Sequence, residues 1–171
     1  VNAGNGQSAT AGSAVATDPS VLITDANGNP KSGVSVTFAV ATGGGSITGG
    51  TQTTDASGIA TVTSWTLGAT AGANSLTATS AGLTGSPVTF TATGTVGAAA
   101  KLAFTTQPSA STVAGVVFAT QPVVTVQDVN GNTVTGSTAS VTLTLSTGTG
   151  TLGGTVTMNA VAGVADFAGR A

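Results

Sequence analysis

Thr24-Asp25-Ala26-Asn27-Gly28-Asn29 and, 103 positions later, Gln127-Asp128-Val129-Asn130-Gly131-Asn132 decide how this chain is read, because one Asx-Gly turn stands in two copies of one pattern. Outward from the first copy, Val34, Val36 and Phe38 alternate with Ser35 and Thr37, the period of a strand with one buried face. Val88, Phe90 and Ala92 alternate in the same way with Thr89, Thr91 and Thr93, and Val141, Leu143 and Leu145 repeat the pattern after the second turn. Further echoes follow in order. Gly45-Ser46-Ile47-Thr48-Gly49-Gly50 answers to Gly150-Thr151-Leu152-Gly153-Gly154, and Gly58-Ile59-Ala60-Thr61-Val62 to Gly163-Val164-Ala165-Asp166-Phe167, each about 105 positions apart. The repeat is therefore roughly 100 residues long, the size of one β-sandwich domain.

Val21-Leu22-Ile23 and Val123-Val124-Thr125-Val126 read as more fully buried strands, and nowhere is the i, i+3, i+4, i+7 spacing of a helix sustained. Turns at Asn27-Gly28, Gly43-Gly44-Gly45, Ser57-Gly58, Ala81-Gly82, Asn130-Gly131, Gly148-Thr149-Gly150 and Gly153-Gly154 separate the strands. The sequence thus predicts an all-β chain of Greek-key β-sandwiches: a first domain over 1–94 with its core within 7–93, a short linker over 95–100, and a second domain over 101–171. So short a linker leaves the two domains end to end as a stiff rod.

Composition narrows the chemistry. The chain holds 26 Gly, 35 Thr, 29 Ala and 16 Ser among its 171 residues, with no Cys, His, Tyr or Glu. Without His and Cys there is no Ser-His-Asp or Cys-His pair and no zinc site of the usual kind. Charged residues make up 5% and the net charge is -2, which cannot build a phosphate-binding face, so nucleic acid is not an expected partner. Hydrophobic residues at 40% oppose a disordered chain, and the apolar runs, broken every few positions by Thr, Ser or Gly, predict no membrane span. A surface so poor in Lys and Glu suits packing against copies of itself or neighbouring domains.

The first unit resembles the bacterial Ig-like domains of invasin and intimin type: Asp25-x-Asn27-Gly28-Asn29-Pro30, Gly33-Val34-x-Val36-x-Phe38, the Gly43-Gly44-Gly45-Ser46 turn, Thr54-Asp55-x-x-Gly58-x-Ala60, Trp65-x-Leu67-Gly68 and Gly72-x-Asn74. The second, from Lys101-Leu102-Ala103-Phe104-Thr105-Thr106-Gln107-Pro108 through Gln121-Pro122-Val123-Val124-x-Val126-Gln127-Asp128, is similar to a sister repeat of long bacterial surface proteins. The resemblance implies tandem Ig-like modules of an extracellular, cell-surface filament, stalk or adhesin shaft, without catalytic residues. It leaves a carbohydrate- or host-receptor-binding adhesin module as the alternative.

Each chemically suggestive residue has a structural reading beside the functional one. The Asp25–Asn29 and Asp128–Asn132 loops resemble the start of an oxygen-ligand calcium loop, but no Glu closes such a site, and Asx side chains with a following Gly are what a tight turn demands. Asp18, Asp25, Asp55, Asp128 and Asp166 fall at or near predicted strand ends, where carboxylates cap backbone N–H groups, so no catalytic pair, metal or cofactor is expected. Lys101 with Asn159 and Asp166 is the one set that an internal isopeptide bond could draw on, and a poor one. Trp65, on a strand beginning at Ile59, reads as the largest core side chain rather than a sugar-stacking platform, and Phe38, Phe90, Phe104, Phe118 and Phe167 read likewise. No Asn-x-Ser/Thr sequon occurs.

Matching Gly163–Phe167 to Gly58–Val62 leaves nothing in the second unit to answer residues 63–93. Its sandwich is expected to lack its last strands and to be completed by protein outside 101–171, either a continuing chain or a strand donated by a neighbouring copy. Residues 1–16 are expected to be spare to the first unit and a weak donor.

Overall fold

A computed structural model describes residues 1–169. Among these residues the regular structure is all strand, divided into two compact units, Val1–Thr95 and Val96–Ala171.

Unit one contains β1 (Gln7–Thr10), β2 (Ser20–Leu22), β3 (Ser35–Thr42), β4 (Ser46–Thr48), β5 (Thr51–Thr53), β6 (Ile59–Thr61), β7 (Ser64–Thr66), β8 (Gly72–Thr79) and β9 (Val88–Thr95). A five-stranded sheet runs in the order β1-β9-β8-β3-β5, and β2–β6 and β4–β7 form antiparallel pairs. The alternation read from the sequence sets which side chains turn inward. Val36 and Phe38 on β3 and Phe90 and Ala92 on β9 are buried while the intervening threonines face out. They meet Val21, Ala60, Val62, Trp65, Leu67, Leu76 and Ala78 in one apolar cluster, with the Phe38 and Phe90 rings 6.5 Å apart between centroids. Thr fits the outer positions because its β-branched side chain suits a pleated, half-exposed surface.

Two sequence expectations for unit one are corrected. The segment beginning at Ile59 is not one strand: β6 pairs with β2 and β7 with β4, and at the change of partner Val62 N–H donates to Pro19 O and Thr63 N–H to Thr48 O. Residues 1–16 are not spare. β1 pairs in parallel with β9, Gln7 opposite Ala92 and Thr10 opposite Thr95, and Ala11 and Val15 are buried. The tail after β1 is fixed by Gly12 N–H to Gly68 O and Val15 N–H to Trp65 O. Poor alternation hid this strand, because only Ala9 of its four residues packs on the core.

Unit two contains β10 (Lys101–Thr106), β11 (Val123–Gln127), β12 (Ser140–Thr142), β13 (Thr157–Asn159) and β14 (Val164–Asp166), joined as a β10-β11-β14 sheet and a β12–β13 pair. The expected linker over 95–100 is not a separate segment: Thr95 closes β9, while Gly97 N–H and Ala100 N–H already bond to Asp128 and Gln127 of unit two. Local geometry repeats between units. Ile23 N–H donates to Gly58 O, and Val126 N–H donates to Gly163 O, each at 2.8 Å. Gly58 and Gly163 both have left-handed φ, 72° and 76°, and a Cβ on either would run into backbone, Ile23 O in the first and Val134 O in the second; no other residue fits there.

The core of unit two is smaller: Val124, Val141, Ala165 and Phe167 are buried, with Leu143 and Met158 partly so. Its expected β12 alternation is cut short, since β12 ends at Thr142 and Leu145 is exposed. The reason is visible in β3. There β5 pairs with residues 35–37 only, and the rest of the strand, to Thr42, is zipped by β8. In unit two β13 plays the part of β5, pairing with residues 140–142, and no described strand plays the part of β8. Phe104 likewise departs from the core expectation, being 50% exposed.

Candidate functional site

The two Asx turns carry the most concentrated polar chemistry. Asp25 Oδ1 accepts from the backbone N–H of Asn27 and Asn29, the Asn29 side-chain amide reaches both carboxylate oxygens, and Gly28 N–H returns to Asp25 O. Asp128 builds the same turn with Asn130 N–H and Asn132 N–H on Oδ1 and the Asn132 side chain on Oδ2. It then adds one bond that Asp25 lacks, Gly97 N–H to Oδ2 at 3.0 Å. Asp25 is exposed and Asp128 is buried at 1% exposure.

The Asn29 side chain, followed by the backbone donors, holds the Asp25 carboxyl below its ordinary range. At Asp128 burial is the largest single influence and pushes upward, yet the Asn132 side chain and the N–H groups of Gly97, Asn132 and Asn130 together outweigh it and hold the carboxyl at about 2. A carboxylate has about four lone-pair sites, and at Asp128 four donors fill them. Both loops are closed Asx turns, saturated with donors at Asp128 and solvent-exposed at Asp25. Among the described residues no cluster of three acidic or other metal-ligating side chains occurs.

The other acids stand apart. Asp55 Oδ1 accepts from Ser57 N–H and Ile59 N–H, Asp166 Oδ1 from Ala168 N–H, and Asp18 is exposed before the buried Pro19. The isopeptide set is not brought together. Lys101 pairs with Gln127 at one end of β11 and Asp166 with Val123 at the other, about 13 Å along the strand. Asn159 lies on the separate β12–β13 pair, and Lys101 Nζ donates to Val129 O.

Trp65 is fully buried and its Nε1 has no hydrogen-bond partner. It offers no face to a sugar and anchors the core, as do Phe38, Phe90 and Phe167; Phe104 is exposed and Phe118 half-buried. A surface groove of about 530 Å³ in unit one is lined by Val1, Leu22, Leu83 and Val88 together with Ser80 and Ser86. Ser80 is already committed to Ser35 O and to Ser86.

Sequence reasoning missed the Asp128–Gly97 bond, which joins residues 31 positions apart and leaves no local pattern. It also missed a signal that was present: Ala11-Gly12-x-x-Val15-Ala16-Thr17-x-Pro19 recurs as Ala114-Gly115-x-x-Phe118-Ala119-Thr120-x-Pro122, again 103 positions on. That recurrence marks residues 11–19 as part of the repeat. In comparison with known proteins, no family model, no curated protein and no solved structure matches this chain.

Proposed function

We propose that this chain is a non-catalytic structural module, a pair of tandem Ig-like Greek-key sandwiches from a bacterial extracellular filament, stalk or adhesin shaft, whose partners are neighbouring domains of its own kind. The observation that carries the reading is the parallel pairing of β1 with β9. These are the first and last strands of unit one. Pulling the chain from both sides drags two parallel neighbours past each other, so the ladder bonds between Gln7–Thr10 and Ala92–Thr95, with the flanking Gly6 N–H to Thr91 O and Ala11 N–H to Thr95 O, bear the load together rather than one at a time. That geometry suits a module that transmits tension. The Thr-rich exterior supports the same reading, since with 5% charged residues in the sequence it offers no strongly charged face to a ligand.

Single-molecule stretching of the full chain tests it. Unit one is expected to give a discrete rupture that releases roughly 30 nm, the contour length of its residues. Ser8→Pro, in the middle of β1, is expected to lower the rupture force, because proline removes a ladder donor. Extension of unit one without a discrete peak would sink the tension-bearing role, and specific binding of the chain to a glycan array would favour the adhesin reading instead.

A further inference from the structure

Half of the apolar cluster of unit one comes from Trp65, Leu67, Leu76, Ala78, Phe90 and Ala92, all within residues 63–95. The other half has a counterpart in unit two, position for position. Val15, Val21 and Val36 answer to Phe118, Val124 and Val141, and Phe38, Ala60 and Val62 to Leu143, Ala165 and Phe167. Four of those six counterparts are buried, and Phe118 and Leu143, whose equivalents touch β7, β8 or β9 in unit one, are only half-buried. Unit two thus presents one of two faces of a sandwich core.

The edge of that face is also prepared. Gly12 and Gly115 share a left-handed φ of 80° and 77°, and Pro19 and Pro122 are both buried. In unit one this stretch is β1 and its tail, zipped to β9 and to Trp65–Gly68. In unit two the same stretch closes on itself, Val116 N–H to Val113 O and Thr112 Oγ1 to Val116 O, with Val113 73% exposed and Val116 and Val117 exposed beside it. Leu102 and Phe104 sit directly opposite the buried Val126 and Val124 on one sheet face, yet are themselves half exposed. An uncovered apolar row next to unpaired backbone is a template for further strands.

We propose that Ala110–Phe118 and the apolar face of β10, β11 and β14 form an acceptor for a β-strand pair supplied from outside unit two. The strand pair is of the kind that Thr63–Thr95 supplies in unit one, and its last strand runs parallel to Ala110–Val113. Unit one names the chemistry of the occupant: an antiparallel pair with large apolar residues at alternate positions facing in and threonines facing out. This assignment goes beyond the tension-bearing role and does not depend on it, since stretching reads unit one and the following experiment reads unit two.

Phe167 occupies the place of Val62, so a second copy of residues 63–95 is joined directly after Phe167 in the otherwise complete chain. Amide exchange across 110–118 is expected to slow by on the order of tenfold or more, with dye binding to exposed apolar surface falling in parallel. Leu76→Asp with Phe90→Asp in the appended copy is expected to abolish both gains. Unchanged exchange in the extended chain, gains that survive the double substitution, or protection of 110–118 in the unextended chain through self-association would each overturn the proposal. If the extended chain aggregates, a synthetic Val88–Thr95 peptide added to the native chain decides the matter: slowed exchange at 110–113 supports the acceptor, and no change refutes it.

Discussion

Phe90 and Phe104 stand on strands of similar composition, yet Phe90 is fully buried and Phe104 is half exposed. What separates them is the second sheet. In unit one β8 and β9 extend the sheet of β3 and their inward side chains pack with those of β2 and β6, whereas in unit two the corresponding face of β10 and β11 has β12, β13 and Phe167 against it. The contrast teaches that period-two patterning selects a face and leaves open whether anything covers it.

The largest effect sharpens that contrast directly. Phe90→Ala is expected to destabilise unit one by about 3–5 kcal/mol, because it opens a cavity the neighbours cannot fill. Phe104→Ala is expected to change unit two by well under about 1 kcal/mol, as exposed substitutions do. Denaturant unfolding of the full chain followed by residue-resolved exchange separates the two units. Equal costs would mean that Phe104 is covered in solution and would break the comparison.

A second difference lies in the paired turns. The Asp128 carboxyl is held at about 2 against an ordinary 3.8, so its contribution is present in full above pH 3.8 and is lost as the pH falls from there through about 2. Unit two is expected to lose stability over that interval, and Asp128→Asn to flatten the dependence while lowering stability at neutral pH. The Asp25 carboxyl is also lowered, but it is exposed and lacks the Gly97 bond. Asp25→Asn is therefore expected to alter the acid response of unit one less, and thermal melts at stepped pH compare the pair. A steeper acid loss from unit one would reverse the assignment.

The smallest effect concerns the turns before β6 and β14. Unit one closes with Asp55-Ala56-Ser57-Gly58, where Gly58 alone has positive φ, while unit two closes with Val161-Ala162-Gly163-Val164 and holds Ala162 at φ 50°. Left-handed backbone disfavours Ala and suits Asn. Ala162→Asn is expected to stabilise unit two by about 0.5–1 kcal/mol, and Ala56→Asn to leave unit one unchanged. A gain at both sites in thermal melts would show that φ at Ala162 is not its source.

Much of this was legible in the residues. The two Asx turns, the inward rows Val36-Phe38 and Phe90-Ala92, the buried Trp65 and the obligatory glycines at 58 and 163 all follow from local rules, because each depends on backbone within a few residues or on a simple alternation. The strand β1 was not, since its four residues alternate weakly and its place is fixed by Thr91, Thr95 and Gly68, far along the chain.

By itself, then, the sequence determined an all-β chain, the position of its turns, the inward face of most strands and the near-absence of titratable chemistry. Those properties reside in single residues and in periods of two. Only the tertiary structure decided that β1 runs parallel to β9, that residues 59–66 change partners midway, that Asp128 is buried under Gly97, and that Phe104 and Leu145 face outward. Each of these depends on which distant strand arrives to complete a hydrogen-bond ladder or cover a face, and pairing across tens of residues leaves no trace in local pattern.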